Sequence, residues 1–385
     1  MMHIALPFMP YRKPRLIDGF DGIPQLLLSH KLQRVLLITD KDIYNLGLTA
    51  PLETLLSDGG IACTVFSDTV ANPTVTNAEA AREIYLNHNC QALIAFGGGS
   101  SMDCAKAVGA RIVRPRKSLA QMEGLLHIMH RLPMLIAIPT TAGTGSETTL
   151  AAVITDEKTR RKYPINDFSL IPSYAVLEPE VTLGLPPMLT ATTGMDALTH
   201  AVEAYIGRST TKETRHAATL AVQLIFDNLQ AACEDGHNRT ARANMLKASY
   251  LAGTAFTKSY VGYVHAIAHS LGGRYNTPHG LANSVLLPVV LKAYGAAVYP
   301  KLARLARSTR ITPAGSSDEA AAKQFIERIR QMNASMHIPS TLPDICEEDI
   351  PQLAACADHE ANPLYPVPVL WDCRQLAKIY RAVKS

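Results

Sequence analysis

The sequence predicts two domains of different class: an α/β N-terminal nucleotide-binding domain over residues 1–185 and an all-α C-terminal domain over residues 186–385. Three observations carry this. Apolar, β-branched runs alternate with helix-patterned segments as far as Val176 and Leu177, and two of the runs lead into loops rich in glycine and small hydroxyls. Beyond the proline-punctuated connector EPEVTLGLPP (178–187) only helical periodicity recurs. At 385 residues and 47% hydrophobic content, the chain exceeds what one core usually serves and can fill two.

The first element is QRVLLITD (33–40), a leucine and β-branched run with a polar end, the pattern of a strand in a parallel sheet covered on both faces. PLETLLSDGG (51–60) reads as a helix, with Pro51 at its start and glycines at its stop. CTVF (63–66) is a second strand, NAEAAREIYLNHN (77–89) a helix and ALIAF (92–96) a third strand. This alternation implies a doubly wound parallel sheet, whose binding crevices lie at strand ends.

The third strand runs straight into Gly97-Gly98-Gly99-Ser100-Ser101-Met102-Asp103 and then a helix. Glycines let backbone N–H groups approach a ligand closely, and a helix N-terminus attracts an anion, so a phosphate fits there. LIAI (135–138) is another buried strand, leading into PTTAGTGSETT (139–149). That loop supplies hydroxyl donors without bulk. Two such loops at the ends of two parallel strands point to a dinucleotide. Asp40, ending the first strand, is placed to accept from an adenosine ribose hydroxyl and to repel a 2′-phosphate, which favours NAD over NADP; the plainer alternative is that it caps the segment that follows.

In the second half, helices are expected over 188–206, 212–234, 238–254, 260–272, 280–295, 298–308, 317–336 and 372–383. The first carries Asp196 and His200 four residues apart, on one helical face. VHAIAHSL (264–271) repeats the spacing with His265 and His269, and His279 follows Pro278. One Asp and three His from this set could close around one divalent metal. Leu189, Met195, Leu198, Val202 and Tyr205 can pack the first helix inward, which leaves its polar pair partly buried. Coordination would remove that cost, and so would a plain Asp–His hydrogen bond. A mostly nitrogen donor set suits Fe²⁺ or Zn²⁺ better than Mg²⁺ or Ca²⁺.

Composition narrows the partners. With 37 basic and 33 acidic residues, a net charge of +4 and no block of like charge, nothing points to nucleic acid or an anionic membrane. Seven scattered cysteines without a C-x-x-C pair disfavour a disulfide framework and read as reduced thiols of a cytoplasmic protein. The N-terminal twenty residues lack a signal-peptide core, and no apolar run is expected to span a bilayer.

The motifs GGGSSMDCAKA (97–107), PTTAGTGSETT (139–149), GMDALTHAVEAY (194–205), GYVHAIAHSLGG (262–273) and PHGLAN (278–283) occur in this order. With them the chain resembles the iron-containing (group III) alcohol dehydrogenases, especially lactaldehyde and propanediol reductase-like members. The resemblance implies a dehydroquinate synthase-like two-domain fold, with cofactor and metal sites facing each other across a cleft, and a homodimer. It implies Asp196, His200, His265 and His279 as metal ligands for Fe²⁺, with Zn²⁺ as the alternative, and His269 as the catalytic imidazole beside the nicotinamide. It aligns Asp40, Asn72, Gly97, Gly98, Gly99, Ser100, Asp103, Thr140, Thr141, Ser146, Thr149, Lys162 and Thr182 with positions that touch NAD. Ser101-Met102 and Ala151 depart from the commoner pattern, and the segment 360–369 resembles a branch with a proline-rich tail that would shape the substrate cavity differently. The implied activity is the metal-dependent, NAD(H)-linked interconversion of small primary alcohols and aldehydes by hydride transfer. Its rivals are a non-redox lyase using NAD and metal on the same fold, and a non-catalytic dinucleotide-binding protein.

Overall fold

In the computed structural model of the chain, residues 11–159, 161–313 and 315–385 are described. Two compact units are formed, ending and beginning at Thr182 and Leu183.

The first unit holds strands β1 (Arg15–Ile17), β2 (Arg34–Asp40), β3 (Ala62–Thr69), β4 (Ala92–Gly97), β5 (Gly124–Leu125), β6 (Met134–Pro139), β7 (Ala151–Asp156), β8 (Arg161–Asn166) and β9 (Tyr174–Val176). Its helices are α1 (Gly22–Ser29), α2 (Lys41–Asn45), α3 (Ala50–Asp58), α4 (Val75–Asn87) and α5 (Gly99–Val113). Six strands form a parallel sheet in the order β1-β9-β6-β4-β2-β3. Period-two alternation sends Val35, Leu37, Ile94 and Phe96 to one face, against Ile23, Leu27, Leu52 and Leu56 of α1 and α3. It sends Leu36, Ile38, Leu93 and Ala95 to the other, where α4 and α5 cover them with Ala81, Tyr85, Ala105 and Val108. Both faces are dry, which is why these strands read as unbroken apolar runs.

From β2 the chain runs outward to β3 and then back across β2 to β4, so the strand order reverses between β2 and β4. The carboxyl ends at that switch point are Asp40 and Gly97, the place where open α/β sheets bind ligands. A second sheet was not expected from the sequence: β7 and β8 pair antiparallel, and β5 joins β8 in parallel. AAVITD and RKYPIN are short and half exposed, and Pro164 and the charges mask their alternation.

The second unit is helical among the described residues: α6 (Pro187–Ile206), α7 (Lys212–Glu234), α8 (Arg239–Ser259), α9 (Tyr263–Tyr275), α10 (His279–Tyr294), α11 (Tyr299–Ser308), α12 (Asp318–Ser335), α13 (Ile350–Ala361) and α14 (Cys373–Val383). Eight lie where the periodicity put them, and α13 was missed. The expected start at 260 moves to 263, because Tyr260 has φ 65° and ψ −179° and Gly262 is the N-cap of α9. The stretch His279–Ala297 corrects one expectation: it is long and apolar enough to cross a membrane by length and composition. Ala282, Val285, Leu286, Leu287, Val290 and Leu291 are buried within the protein, as in a core helix.

Candidate metal centre and nucleotide loops

Helix α6 starts at Pro187 and carries Asp196, His200 and Glu203 along one face. Gly280 lets α10 approach it, since a Cβ there would lie 2.6 Å from the Thr192 carbonyl oxygen. Around the Asp196 carboxylate oxygen Oδ1 stand His279 Nε2 at 3.5 Å, His265 Nε2 at 3.7 Å and His200 Nδ1 at 4.0 Å. At 4.0 Å Asp196 and His200 are not hydrogen-bonded, so that explanation of the buried pair fails. Ligands roughly 2.1 Å from one ion, at the angles of tetrahedral or octahedral coordination, lie about 3.0–3.5 Å apart. Among the described residues, Asp196, His265 and His279 form a group able to hold a metal ion. His200 lies slightly wide of it.

Two further facts test the fit. His200 Nδ1 and His265 Nε2 are buried without a hydrogen-bond partner, a cost that an ion would remove. The other nitrogen of His265, Nδ1, donates to Glu203 Oε2 at 2.6 Å, which aims Nε2 at Asp196. This is the carboxylate–histidine arrangement that orients metal-bound imidazoles. Glu203 also accepts the Gly262 and Val264 N–H groups, each at 2.8 Å, and a Cβ on Gly262 would come within 2.7 Å of its Oε1. The donor set therefore fits a divalent transition metal.

Electrostatics agree. Burial pushes the Asp196 carboxyl up, but His200, His279 and His265 outweigh it and hold the group well below the usual range. Burial pushes His200 down to about 3 and His279 down to about 4, so both rings offer lone pairs at neutral pH. His265 is the exception to the expected neutral set: burial lowers it, yet the facing carboxylate of Asp196 and the hydrogen-bonded carboxylate of Glu203 carry it up to about 9. The ion would displace a proton from His265 Nε2. His200 is clamped between Phe256, ring centroids 4.1 Å apart, and His265 at 4.4 Å. His279 is 40% exposed and forms the open side of the centre.

Glu203 and Asn283 escaped the sequence reading. The Asn283 amide donates to Asp196 Oδ1 at 2.6 Å and to His279 Nε2 at 3.0 Å, so it keeps the two side chains together and occupies the lone pair that an ion would take over. Both had a signal: Glu203 is seven residues past Asp196 and Asn283 four past His279, hence on the same helical faces.

In the first unit the two loops meet. Gly97 has φ 153°, where a Cβ would collide with Ser101, so only glycine fits the turn into α5. The Thr140 N–H donates to the Gly97 carbonyl, and Gly98 and Gly99 lie against Thr141 and Thr144. The Asn72 N–H reaches Ser100 Oγ at 3.3 Å, from a residue with φ 58°. Gly97 to Ser100, Asn72, Thr140 and Thr141 thus gather at the N-terminus of α5, with Asp40 ending the neighbouring strand. Asp40 Oδ1 accepts the Ile43 N–H at 2.9 Å, so it does cap the next helix. Lys162 is exposed on β8 opposite Thr155, whose N–H bonds to Pro73 beside Asn72. Thr182 spends its hydroxyl on the Pro179 carbonyl.

Asp103, Ser146 and Thr149 tie the two loops together from beneath. Lys106 Nζ donates to Ser146 Oγ, Thr149 Oγ1 and the Ala151 carbonyl at 2.8–2.9 Å, while Ser146 Oγ donates to Asp103. Glu147 is buried beside them with both carboxylate oxygens unpartnered. Burial pushes its carboxyl up to about 7 and the Lys106 ammonium down to about 8. Because the folded state holds the Glu147 proton more tightly than the unfolded chain, stability falls as pH rises from 4.5 to about 7. Glu147→Gln is therefore expected to gain about 3 kcal/mol relative to the parent between pH 4 and pH 8. Denaturant unfolding at both pH values checks this, and an unchanged difference would refute it.

A parallel-sheet unit with two adjoining glycine- and threonine-rich loops, and a helical unit in which Asp196, His265 and His279 could hold a metal ion with His200 beside them, fit the class of metal-dependent dinucleotide enzymes. Two family models match: "Iron-containing alcohol dehydrogenase" over residues 18–179 and "Fe-containing alcohol dehydrogenase family, C-terminal" over residues 190–383. The chain is 39% identical to the 1,3-propanediol dehydrogenase of Citrobacter freundii over 353 residues, 91% of each chain. It is 36% identical to the lactaldehyde reductase of Escherichia coli K12 over 328 residues, 84% of this chain and 85% of the relative. A crystal structure of 1,3-propanediol oxidoreductase superposes with a TM-score of 0.93 at 34% identity, covering 97% of this chain and 99% of that one. The NAD⁺ complex of sulfoacetaldehyde reductase from Bifidobacterium kashiwanohense gives 0.86 at 31% identity, covering 97% and 98%. The chain belongs to the iron-containing alcohol dehydrogenase family and is an oxidoreductase of the alcohol–aldehyde class.

Proposed function

We propose that the protein interconverts small primary alcohols and aldehydes with NAD(H), using Fe²⁺ held by Asp196, His200, His265 and His279, with Zn²⁺ as the alternative ion. The observation that carries this reading is the pair of buried, partnerless imidazole nitrogens facing or flanking Asp196. Bound there, the ion would supply Lewis acidity to the alcohol or aldehyde oxygen, and the nicotinamide would take or give the hydride. The chain's own residues do the rest. Glu203 and Asn283 hold the imidazoles and the carboxylate in register, Phe256 shields His200 from water, and His269 is the acid–base imidazole.

We assign residues 1–185 to dinucleotide binding and 186–385 to metal binding and catalysis. Asp40, Asn72, Gly97, Gly98, Gly99, Ser100, Asp103, Thr140, Thr141, Ser146, Thr149, Lys162 and Thr182 are the proposed cofactor residues. Gly97 to Ser100 and the α5 N-terminus support a pyrophosphate, and the Asp40 carboxylate supports NAD over NADP. The Asp103, Ser146 and Thr149 side chains would act mainly by fixing the loops, since they are bonded within the Lys106 cluster. By the same resemblance the protein works as a cytoplasmic homodimer without membrane or nucleic-acid partners.

The test is a panel of small alcohols and aldehydes, run anaerobically with Fe²⁺-loaded and Zn²⁺-loaded enzyme and followed at the NADH absorbance band. Net NADH production from a primary alcohol is expected. Tightly retained NAD with no net reduction would favour the lyase, and neither retention nor turnover would favour a binding protein.

A further inference from the structure

Helix α13, which the periodicity did not reveal, brings Glu360 to His269. The His269 ring meets the Glu360 carboxylate with Nδ1 2.6 Å from Oε1, and the hydroxyl of Tyr365 donates to the same oxygen at 2.5 Å. Tyr365 is buried and packs its ring against Tyr260, centroids 5.2 Å apart. Tyr260 itself is held at φ 65°, ψ −179°, a region that is essentially glycine-only. The His269 ring also stacks on His279, centroids 5.2 Å apart and planes 17° apart, and stands edge-on to His265.

A carboxylate has only acceptors, so contact with Glu360 requires hydrogen on Nδ1 and leaves the lone pair on Nε2. The Tyr365 bond holds Oε1 in place while this happens. One turn earlier on α9 the chain uses the same device, where Glu203 holds His265 Nδ1 at the same 2.6 Å and turns Nε2 to the metal centre. An imidazole about half exposed, as His269 is, would otherwise exchange tautomers and rotamers with solvent. Here the ring has a braced carboxylate on one nitrogen and a ring on its face.

We propose that Glu360, braced by Tyr365, is a positioning residue for His269: it fixes the Nδ1–H tautomer and orients Nε2 as the acceptor presented to the reaction. The inference rests on the reading of His269 as the acid–base imidazole of an alcohol–aldehyde oxidoreductase. A plain interhelical ion pair would stabilise the packing of α9 on α13 without setting the tautomer.

The deciding experiment combines ¹⁵N histidine NMR on Zn²⁺-loaded protein, with His269 assigned by its own substitution, and steady-state kinetics of Glu360→Ala, Glu360→Gln and Tyr365→Phe. In the parent, His269 is expected to carry its hydrogen on Nδ1. In Glu360→Ala the Nε2–H tautomer should gain population, and kcat should fall about 10–100-fold with KM for alcohol and for NAD within about twofold. Glu360→Gln, whose amide oxygen accepts from Nδ1–H, should keep the parent tautomer and most of kcat. Tyr365→Phe, which leaves the carboxylate in place, should fall between them and covers the case in which Glu360→Ala does not fold. Retention of the Nδ1–H tautomer in Glu360→Ala, or in Tyr365→Phe a kcat and tautomer identical to the parent, would overturn the proposal. The NMR readout needs no turnover, so a parent that makes no NADH from any alcohol would defeat the reading of function while the tautomer still decides Glu360.

Discussion

His265→Ala is expected to empty the metal centre and stop turnover together, while NAD binding stays within about twofold. His265 is the candidate ligand with the most constraints: Nδ1 is fixed by Glu203, Nε2 lies 3.7 Å from Asp196 Oδ1 without a partner, and the ring stacks on His200. Its loss removes one donor, frees His200 to turn and leaves Glu203 with two backbone donors only. Turnover should drop by at least ~10³-fold, which corresponds to about 4 kcal/mol of lost transition-state stabilisation. Metal analysis and NADH absorbance on one preparation check the coupling. Full metal content with normal turnover would show that the ion sits elsewhere.

Glu203→Ala should be nearly as damaging, for a different reason. Glu203 touches none of the reacting groups, yet it satisfies Gly262 N–H, Val264 N–H and His265 Nδ1 at the start of α9. Without it, two buried N–H groups lose their acceptor and His265 loses its fixed tautomer. A stability loss of about 3–5 kcal/mol is expected, with metal affinity 10–100-fold lower. Glu203→Gln fills the same space and should recover much of the stability but little of the affinity, since a neutral amide is a weaker orienting acceptor. Equal metal affinity in parent and Glu203→Ala, measured by competition with a chelator, would remove Glu203 from the account.

Much of this site was legible because its residues repeat at helical spacing. Asp196 and His200, then His265 and His269, interrupt apolar stripes four residues apart, and a polar pair on a buried face demands a reason. The loops were legible because β4 and β6 are dry on both faces and lead abruptly into glycines and, after Pro139, threonines. The family membership expected from the five motifs is what the matches show.

What stayed hidden had weaker local signals. Helix α13 buries Ile350, Leu353, Ala354, Ala357 and Ala361 at helical spacing behind Pro351, but alanines carry little hydrophobic contrast. Missing it meant missing Glu360, whose partner lies 91 residues earlier. Glu203 sat within a recognised motif, yet one more glutamate on a helix reads as solvated surface until burial is known. The hairpin of β7 and β8 lacked clean alternation because one face of each strand is wet. In each case the deciding information was a contact across the fold.

The most direct test of the central claim is a titration of Fe²⁺ into anaerobically prepared, metal-stripped protein, following NADH formation from NAD⁺ and a small primary alcohol. No NADH is expected before addition, then a linear rise with added ion and a break at one Fe²⁺ per chain. NADH production at the full rate with metal demonstrably absent would contradict the claim.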